Sequence, residues 1–364
     1  LESVTSQLDN TFGGSFYQVY TGVTAVQPGL GALTKVSASD LFEDRRFVAG
    51  FRLAGNLGNS TYAIGYSDLS RRIDRSISLE RQGQQQFTTN GQSLIETHIH
   101  TFRYKWSYPF DEVRSLRLNA VYRLDRNAFL ATDAFNLAQP TTFNNAAGFE
   151  LSYVFDATRE RTLNIREGRR SKVWAELYVD PSEQSKTFGT IGFDYRNYFP
   201  IYGDFIFAVR AAADISIGSD RLLHLLGGVY NALALAQNAG TPIDPTINYA
   251  YQTRITPLRG FSTNARNGSH MALVNAELRL PVASTFVPRP IKSDFIRHFQ
   301  VVGFLDCGTA WNGLHPYAEE NTFNQTSVEQ NPITVTIDNN REPIIGAAGF
   351  GMRSRVLGYQ DVRL

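Results

Sequence analysis

The sequence contains little cysteine, little lysine and no long apolar run. A single cysteine among 364 residues excludes a scaffold held by internal disulfides and a metal site with four cysteine ligands. Only five of the 35 basic residues are lysine, and the remainder are arginine, whose planar guanidinium group suits buried or channel-facing ion pairs. No stretch reaches the ~18 uninterrupted apolar residues of a membrane helix. Even the most apolar segment, 222–236, is interrupted by histidine, glycine and asparagine.

Charge is sparse and almost balanced. The 35 basic residues face 34 acidic ones, so no net field would attract nucleic acid, and nucleic acid is not an expected partner. Charged residues make up 19% of the chain, below the roughly 25% of a typical soluble domain, while aromatic residues reach 12%. This balance is unusual for a cytosolic enzyme.

What the chain does contain is alternation of apolar and polar residues at period two. The even positions of 116–124 are Leu, Leu, Ala, Tyr and Leu, whereas the positions between them are mainly Arg and Asn. The aromatic residues at the even positions of 102–108 alternate in the same way with Arg, Lys and Ser. Segments of about ten residues with this pattern are typical of strands that cross an outer membrane with one face toward lipid and the other toward the lumen. We therefore predict an all-β, transmembrane, antiparallel β-barrel.

Fifteen segments are predicted to be strands, and many of the connections between them contain Gly, Pro, Asn or Asp. Because bacterial single-chain barrels have an even number of strands, we expect sixteen, of which about fifteen lie in this chain and the last is incomplete. Residues 1–28 are predicted to be a linker from an upstream periplasmic module and 29–364 the barrel domain, with long loops at 231–268 and 312–342. The predicted strands are 31–42, 45–56, 60–69, 72–83, 95–109, 114–126, 146–156, 170–180, 186–199, 204–217, 221–230, 269–282, 298–311, 343–357 and a last one from 358.

Short motifs follow one another in the last third of the chain. Leu258-Arg259-Gly260-Phe261 lies in the long loop before a strand, and that strand carries Asn275-Ala276-Glu277-Leu278-Arg279-Leu280-Pro281. The next two strands carry Phe304-Leu305-Asp306-Cys307-Gly308 and Gly349-Phe350-Gly351-Met352-Arg353. In this order they resemble the [V/I/L]-R-G-[F/Y], N-x-E-x-R-x-P, F-x-D-x-G and G-x-G-x-R motifs of the BamA- and TamA-like assembly and translocation barrels, the bacterial surface antigen family.

The resemblance implies a sixteen-stranded barrel of the bacterial outer membrane whose long loop, about 231–268, folds back into the lumen. The loop tip would place Arg259 against Asp306 on the inner wall in a bidentate, charge-assisted pair, and Gly260 would allow the tight turn. The candidate site residues are Leu258, Arg259, Gly260 and Phe261 of the tip and Phe304, Asp306 and Gly308 of the wall. Glu277, Arg279 and Arg353 are candidate lumen charges, and for Glu277 and Arg279 general lumen lining is favoured over a specific contact.

The function that the resemblance implies is insertion or export of client proteins through a lateral seam between the first strand, near 31–42, and the last. The implied partners are unfolded outer-membrane or secreted client proteins, outer-membrane lipids and accessory lipoproteins. The alternative is a passive pore or a membrane anchor within a larger secretion or uptake complex, because a fold does not by itself determine a function.

Signals for other chemistry are weak. There is no G-x-S-x-G motif of a serine hydrolase, and the glycines of 346–351 lack the strand–loop–helix context of a phosphate cradle. We interpret these glycines as strand kinks or as space for a neighbouring backbone. His98 and His100 alternate along one strand, but no third His or Cys joins them as a metal ligand would. We therefore expect a non-enzymatic protein without a cofactor or a bound metal.

Overall fold

The computed structural model is almost entirely β-sheet. It describes residues 17–18, 25–26, 31–54, 56–87, 94–130, 134–162, 165–182, 186–228, 241–244, 247–253, 256–287, 291–318, 321, 325–330, 333–338, 341–356 and 360–363. Short helices span Ala134–Leu137, Val282–Phe286 and Asp294–Arg297. Among the described residues, no helix is long and apolar enough to span a membrane.

The strands are numbered in chain order. They are β1 (Tyr17–Gln18), β2 (Ala25–Val26), β3 (Gly31–Ser39), β4 (Arg45–Ala54), β5 (Asn56–Asp68), β6 (Asp74–Phe87), β7 (Leu94–Pro109), β8 (Arg114–Phe129), β9 (Thr142–Asp156), β10 (Arg159–Thr162), β11 (Ile165–Val179), β12 (Thr187–Tyr202), β13 (Phe205–Gly218), β14 (Arg221–Leu226), β15 (Tyr249–Gln252), β16 (Arg266–Gly268), β17 (His270–Pro281), β18 (Gln300–Trp311), β19 (Gln325–Gln330), β20 (Ile333–Asp338), β21 (Ile345–Val356) and β22 (Gln360–Arg363).

Fourteen strands form one continuous antiparallel wall. Their order is β3-β4-β5-β6-β7-β8-β9-β11-β12-β13-β17-β18-β21-β22, so each wall strand pairs with the wall strands that precede and follow it along the chain. The short strands β2 and β10 pair with β6 and β11 at the margin of the wall. Strands β3 and β22 occupy the two edges and do not pair with each other within the described part of the chain. The predicted fold class is confirmed, but the described wall has fourteen strands and not the fifteen that were predicted.

The difference arises at the predicted strand 221–230. Its described part forms β14, which lies outside the wall in a small sheet ordered β1-β15-β14-β16, while β13 pairs directly with β17. The reason is burial on both faces, because the leucines at 222, 223, 225 and 226 are all buried, and so is His224. A wall strand must leave one face for lipid, whereas a near-continuous apolar run suits a strand covered on both sides. The inward loop therefore begins before residue 231.

Side chains alternate across the wall. On the outer face of β9, Phe149, Leu151 and Tyr153 are exposed, while Glu150 and Ser152 point inward and are buried. The same alternation places Val173 and Leu177 of β11 outside and Lys172 and Glu176 inside. Since the exposed face is apolar and the covered face is polar, the wall has the inverse of a soluble sheet's arrangement and matches a barrel in a bilayer.

The inner face carries paired charges, as the excess of arginine predicted. Asp194 accepts hydrogen bonds from Arg196 Nε at 2.8 Å and from Arg210 Nε at 2.7 Å, and the Nζ of Lys172 lies 2.8 Å from Glu150 Oε1. Buried charges persist only when each finds a partner, so these pairs keep the interior polar without leaving a charge stranded.

The outer face generates a direct test. Leu151 lies in the middle of β9 with 48% of its surface exposed, whereas Leu314 lies in the loop after β18 and is 92% exposed. We expect Leu151→Arg to lower the free energy of unfolding in lipid vesicles by about 2–4 kcal/mol, because arginine on a lipid-facing strand is costly, and Leu314→Arg to have little effect. Urea titration of vesicle-inserted protein measures both. Equal effects of the two variants would show that the outer face of β9 does not contact lipid.

Candidate functional site at the inward loop tip

The loop between β13 and β17 is packed against the inner face of the wall. Strand β14 runs parallel to β15 and antiparallel to β16. Leu222 and Tyr251 pack with Tyr178 and Phe188 of the wall, and Leu226 packs with wall residues near the start of β17 and the end of β18. Burial of these side chains supplies a hydrophobic attachment, at roughly 25 cal/mol for each Å² of apolar surface removed from water.

The tip itself is a tight turn held by backbone hydrogen bonds. The amide of Gly228 donates to the carbonyl of Phe261 at 2.7 Å, and that of Gly227 donates to Thr256 at 3.0 Å. Leu258 is completely buried. Gly260 has φ 86°, a conformation that glycine adopts without cost, and a Cβ added there would lie 2.8 Å from Cβ of Ala347 on β21. Both conformation and space therefore require glycine at this position.

Arg259 joins the tip to β18 through Asp306. Its Nε donates to Asp306 Oδ2 at 2.6 Å and its Nη2 donates to Asp306 Oδ1 at 2.6 Å, while its backbone amide also donates to Oδ2 at 3.2 Å. Asp306 is 1% exposed. Burial lowers the pKa of Arg259, but the hydrogen bonds to Asp306 and the charge of Glu277 outweigh burial and raise it. Three donors on one desolvated carboxylate form a strong and direction-specific contact.

Glu277 of β17 gathers three arginines. It accepts hydrogen bonds from Arg259 Nη1, from Arg279 Nε at 2.7 Å and from Arg353 Nη2 at 2.9 Å. From the sequence, Glu277 and Arg279 were interpreted as general lumen charges, but the structure makes Glu277 a direct partner of the tip and Arg279 a partner of Glu277. The network thereby links the loop to β17, β18 and β21, which are consecutive in the wall.

Phe304 provides a flat surface beneath the guanidinium group. The Cζ of Arg259 lies 4.1 Å from the centroid of the Phe304 ring, a distance at which a cation is attracted by the ring face. Phe304 pairs in register with Gly349 of β21, and a Cβ at Gly349 would lie 2.7 Å from the ring. The sequence had suggested that the glycines of 346–351 make kinks or space for a backbone. At Gly349 the space is taken by an aromatic side chain.

Gly308, the last residue of the wall motif, lies under the loop. A Cβ added to it would meet Cδ2 of Leu226 at 3.2 Å and Cβ of Leu273 at 3.2 Å. The contact with Leu226 was not predicted, because 221–230 had been assigned to the wall. In the sequence, the feature that indicated a strand off the wall was the lack of alternation in 222–226, where Leu222-Leu223 and Leu225-Leu226 lie on either side of His224.

The two histidines considered as metal ligands lie apart from this site, on β7. His98 is near Arg126, with 3.5 Å between its Nδ1 and Arg126 Nη1, and its Nε2 is 3.6 Å from Glu96 Oε1. Across the part of the chain that the structure describes, no group of three His, Cys, Asp or Glu residues is arranged to hold a metal ion.

His224 is a buried, neutral residue within the docked loop. Its Nδ1 lies 3.1 Å from Thr253 Oγ1, and its Nε2 has no hydrogen-bond partner among the described residues. Burial, together with the nearby His270, lowers its pKa to about 3 from an ordinary value of 6.5. The docked loop therefore holds this imidazole uncharged at neutral pH.

Comparison with known proteins supports the fold. No protein-family model matches the sequence, and neither does any curated protein. The structure is similar to BamA from Haemophilus ducreyi lacking POTRA domains 1–3, with a TM-score of 0.53 and 12% identity over 98% of this chain and 72% of that one. It is also similar to CdiB from Acinetobacter baumannii, with a TM-score of 0.50 and 11% identity over 89% of this chain and 50% of that one. The chain thus has the BamA-like barrel fold that its motifs predicted.

Removal of the Arg259 side chain should strand a buried charge. We expect Arg259→Ala to destabilise the docked loop by ~3–5 kcal/mol, because Asp306 would remain desolvated without its main partner. Arg259→Lys should recover only part of the loss, since an ammonium cannot make the bidentate contact. Hydrogen exchange of residues 256–268 in the vesicle-inserted protein measures the docking free energy.

A double variant and a surface control sharpen this test. Arg259→Ala combined with Asp306→Asn should cost less than the sum of the two single changes, because the stranded charge is gone. Arg114→Ala, which breaks an exposed pair with Asp111, should leave the stability nearly unchanged. Additive losses in the double variant would contradict direct coupling of Arg259 to Asp306.

The burial of His224 predicts a pH dependence of loop docking. A histidine whose pKa is lowered on docking takes up its proton only when undocked, so docking is fully stable above pH ~6.5 and weakens as the pH falls toward 3. The loss should approach ~1.4 kcal/mol for each pH unit below that of free histidine. Hydrogen exchange of 222–226, corrected for the intrinsic rate at each pH, measures it. His224→Leu should flatten the profile, and an unchanged profile in that variant would assign the effect to another group.

Proposed function

We propose that this chain is the barrel domain of a bacterial outer-membrane insertase or translocase, which assembles or exports client proteins through a lateral seam. The observation that carries the proposal is the inward loop tip, whose Arg259 is bonded to both Asp306 and Glu277 inside a BamA-like wall. The motifs that resemble assembly and translocation barrels are the same residues that make these contacts. The protein acts without catalysing a covalent step and without a cofactor.

The exposed apolar face of the wall supports a location in the outer membrane. Outward residues on β9, β11 and β21 are apolar and exposed, while the inner face carries charge pairs. The partners that we propose are unfolded outer-membrane or secreted proteins, the surrounding lipids and accessory lipoproteins.

The seam is proposed to lie between β3, the first strand of the wall, and the last strand of the barrel. Within the described residues, β3 is nine residues long and pairs with β4 on one side only. An edge strand presents unpaired amide and carbonyl groups that can pair with another strand. A client strand would bind by main-chain hydrogen bonds, which accept many sequences because the side chains are not part of the ladder.

The contacts of the loop tip would control the geometry of the wall on the side of the seam opposite β3. In the wall, β17, β18 and β21 precede β22, and the arginine network joins all three. A rigid connection among these strands limits how far the edge can shift without breaking buried ion pairs. We propose that Arg259 and Asp306 hold the wall in a shape that keeps the seam closed until a client binds.

The passive pore is the less favoured alternative. The small sheet containing β14, β15 and β16 packs against the inner face and occupies part of the lumen. A stable open conductance of constant size in planar bilayers would nevertheless favour the pore.

Photocrosslinking tests the seam directly. A photoreactive amino acid in place of Val36, which is exposed on β3, should form adducts with an unfolded outer-membrane protein during its insertion. Leu177, which is also exposed but lies on β11 in the middle of the wall, is the matched control and should form few. At least a fivefold excess at position 36 is expected. Equal yields at both positions, or no adduct at position 36, would contradict a client-binding seam at β3.

A further inference from the structure

The connection between β17 and β18 is unlike the other described connections on its side of the barrel. Those after β3, β5, β7 and β12 contain two to five residues and the one after β9 spans 157–164 with strand β10, whereas this one spans 282–299 and includes the helices Val282–Phe286 and Asp294–Arg297. The amide of Val282 donates to the carbonyl of Phe299 at 3.1 Å and closes its base. Its described parts, 282–287 and 291–299, are therefore folded at the turn side of the wall.

The second helix of this element packs against the outer face of the wall. On β21, Gly349 and Arg353 face inward, where they contact Phe304 and Glu277, whereas Phe350 and Met352 are 88% and 52% exposed on the outside. Ser354 has the outward parity of Phe350 and Met352, yet it is buried, and its hydroxyl donates to the carbonyl of Phe295 at 2.6 Å. The helix Asp294–Arg297 thus covers the outer end of β21.

The element leaves large apolar side chains uncovered. Phe286, Val287, Phe295 and Ile296 are 66%, 44%, 49% and 52% exposed. Ala283 of the same segment is buried, so the segment has a covered face and an exposed apolar face. Large apolar side chains that stay exposed to water are unfavourable relative to buried ones.

Positive charge accompanies this apolar face. Lys292 and Arg297 are exposed, and the sequence of 282–299 contains three basic residues against the single acidic residue Asp294. Aromatic and aliphatic side chains beside basic ones are typical of segments that lie in a membrane interface. Basic residues near a membrane surface are attracted to anionic lipid headgroups.

We propose that the described parts of the connection between β17 and β18, 282–287 and 291–299, form an interfacial membrane anchor. Phe286, Val287, Phe295 and Ile296 enter the boundary between headgroups and acyl chains in the leaflet at the turn side, and Lys292 and Arg297 bind anionic phospholipid headgroups. Lipid is the occupant because the patch continues the outer surface of β21, where Phe350 and Met352 already face outward. The inference rests on the proposed function only in requiring the wall to lie in a bilayer.

The proposed anchor lies close to one side of the proposed seam. It covers the end of β21, the strand that pairs with the edge strand β22. Attachment to lipid at this point would hold one side of the seam at a fixed depth in the bilayer.

Site-directed spin labelling in vesicles tests the anchor. In a Cys307→Ser background, nitroxide labels are placed separately at Phe295→Cys in the anchor, Phe350→Cys on the outer wall and Leu314→Cys in the opposite loop. The vesicles contain phosphatidylcholine alone or mixed with phosphatidylglycerol, and folding is checked by heat-modifiable electrophoretic mobility. Collision with oxygen reports lipid, and collision with a nickel chelate reports water. We expect position 295 to resemble 350, with at least a threefold higher oxygen-to-nickel ratio than position 314.

The outcomes separate the anchor from the barrel. If position 350 lies in lipid but position 295 resembles position 314, the proposed anchor is contradicted and the membrane-spanning wall is not. Water exposure at both 295 and 350 would contradict the membrane-spanning wall. Lys292→Gln combined with Arg297→Gln should lower the ratio at 295 at least twofold with phosphatidylglycerol and little without it. An unchanged ratio at position 295 in this double variant with phosphatidylglycerol would contradict the proposed binding of headgroups by Lys292 and Arg297. Spin–spin broadening at 295 that unlabelled protein removes would show that a second copy covers the patch, against the proposal.

Discussion

The contact of Arg259 with Asp306 is the interaction on which the inner architecture depends. A guanidinium group that meets a carboxylate at two points cannot slide or rotate without losing a hydrogen bond, so the loop tip has one position on β18. Glu277 extends this constraint to β17 and β21 through Arg279 and Arg353. The surrounding contacts follow from it, because Gly260 admits the turn, Phe304 supports the guanidinium group and Gly349 leaves room for the ring.

The desolvation of these charges explains why they form a network and not isolated pairs. Asp306 is nearly inaccessible to water, and a single ion pair in such a place barely offsets the cost of its burial. Glu277 is shared among three arginines, so its carboxylate has three cationic partners. Removing Arg259 therefore weakens the contacts of both Asp306 and Glu277 at once. The leucines of β14 also attach the loop to the wall by burying apolar surface, but this contact does not fix the orientation of the loop tip.

Much of the fold and part of the site could be predicted from particular residues. Alternation in 115–126 and 149–156 places apolar residues on the outer face of β8 and β9, and the motifs identified Arg259 and Asp306 as partners 47 positions apart. The 221–230 segment was wrongly assigned to the wall, because a strand buried on both faces has the same propensities as one facing lipid. The sequence does not show which residues lie near Glu277 or Phe304. The contacts of Glu277 with three arginines and of the Phe304 ring with Arg259 could therefore not be predicted.

The sequence by itself determined which side chains face each side of the wall, because a strand turns successive residues to opposite faces whatever the rest of the molecule does. It also determined that Gly260 can turn and that arginine dominates the lumen. Only the tertiary structure decided that β14 leaves the wall, that Glu277 meets three arginines and that the helix Asp294–Arg297 covers the outer end of β21. These features depend on which distant segments become neighbours, and strand pairing across dozens of residues is set by the packing of the whole barrel.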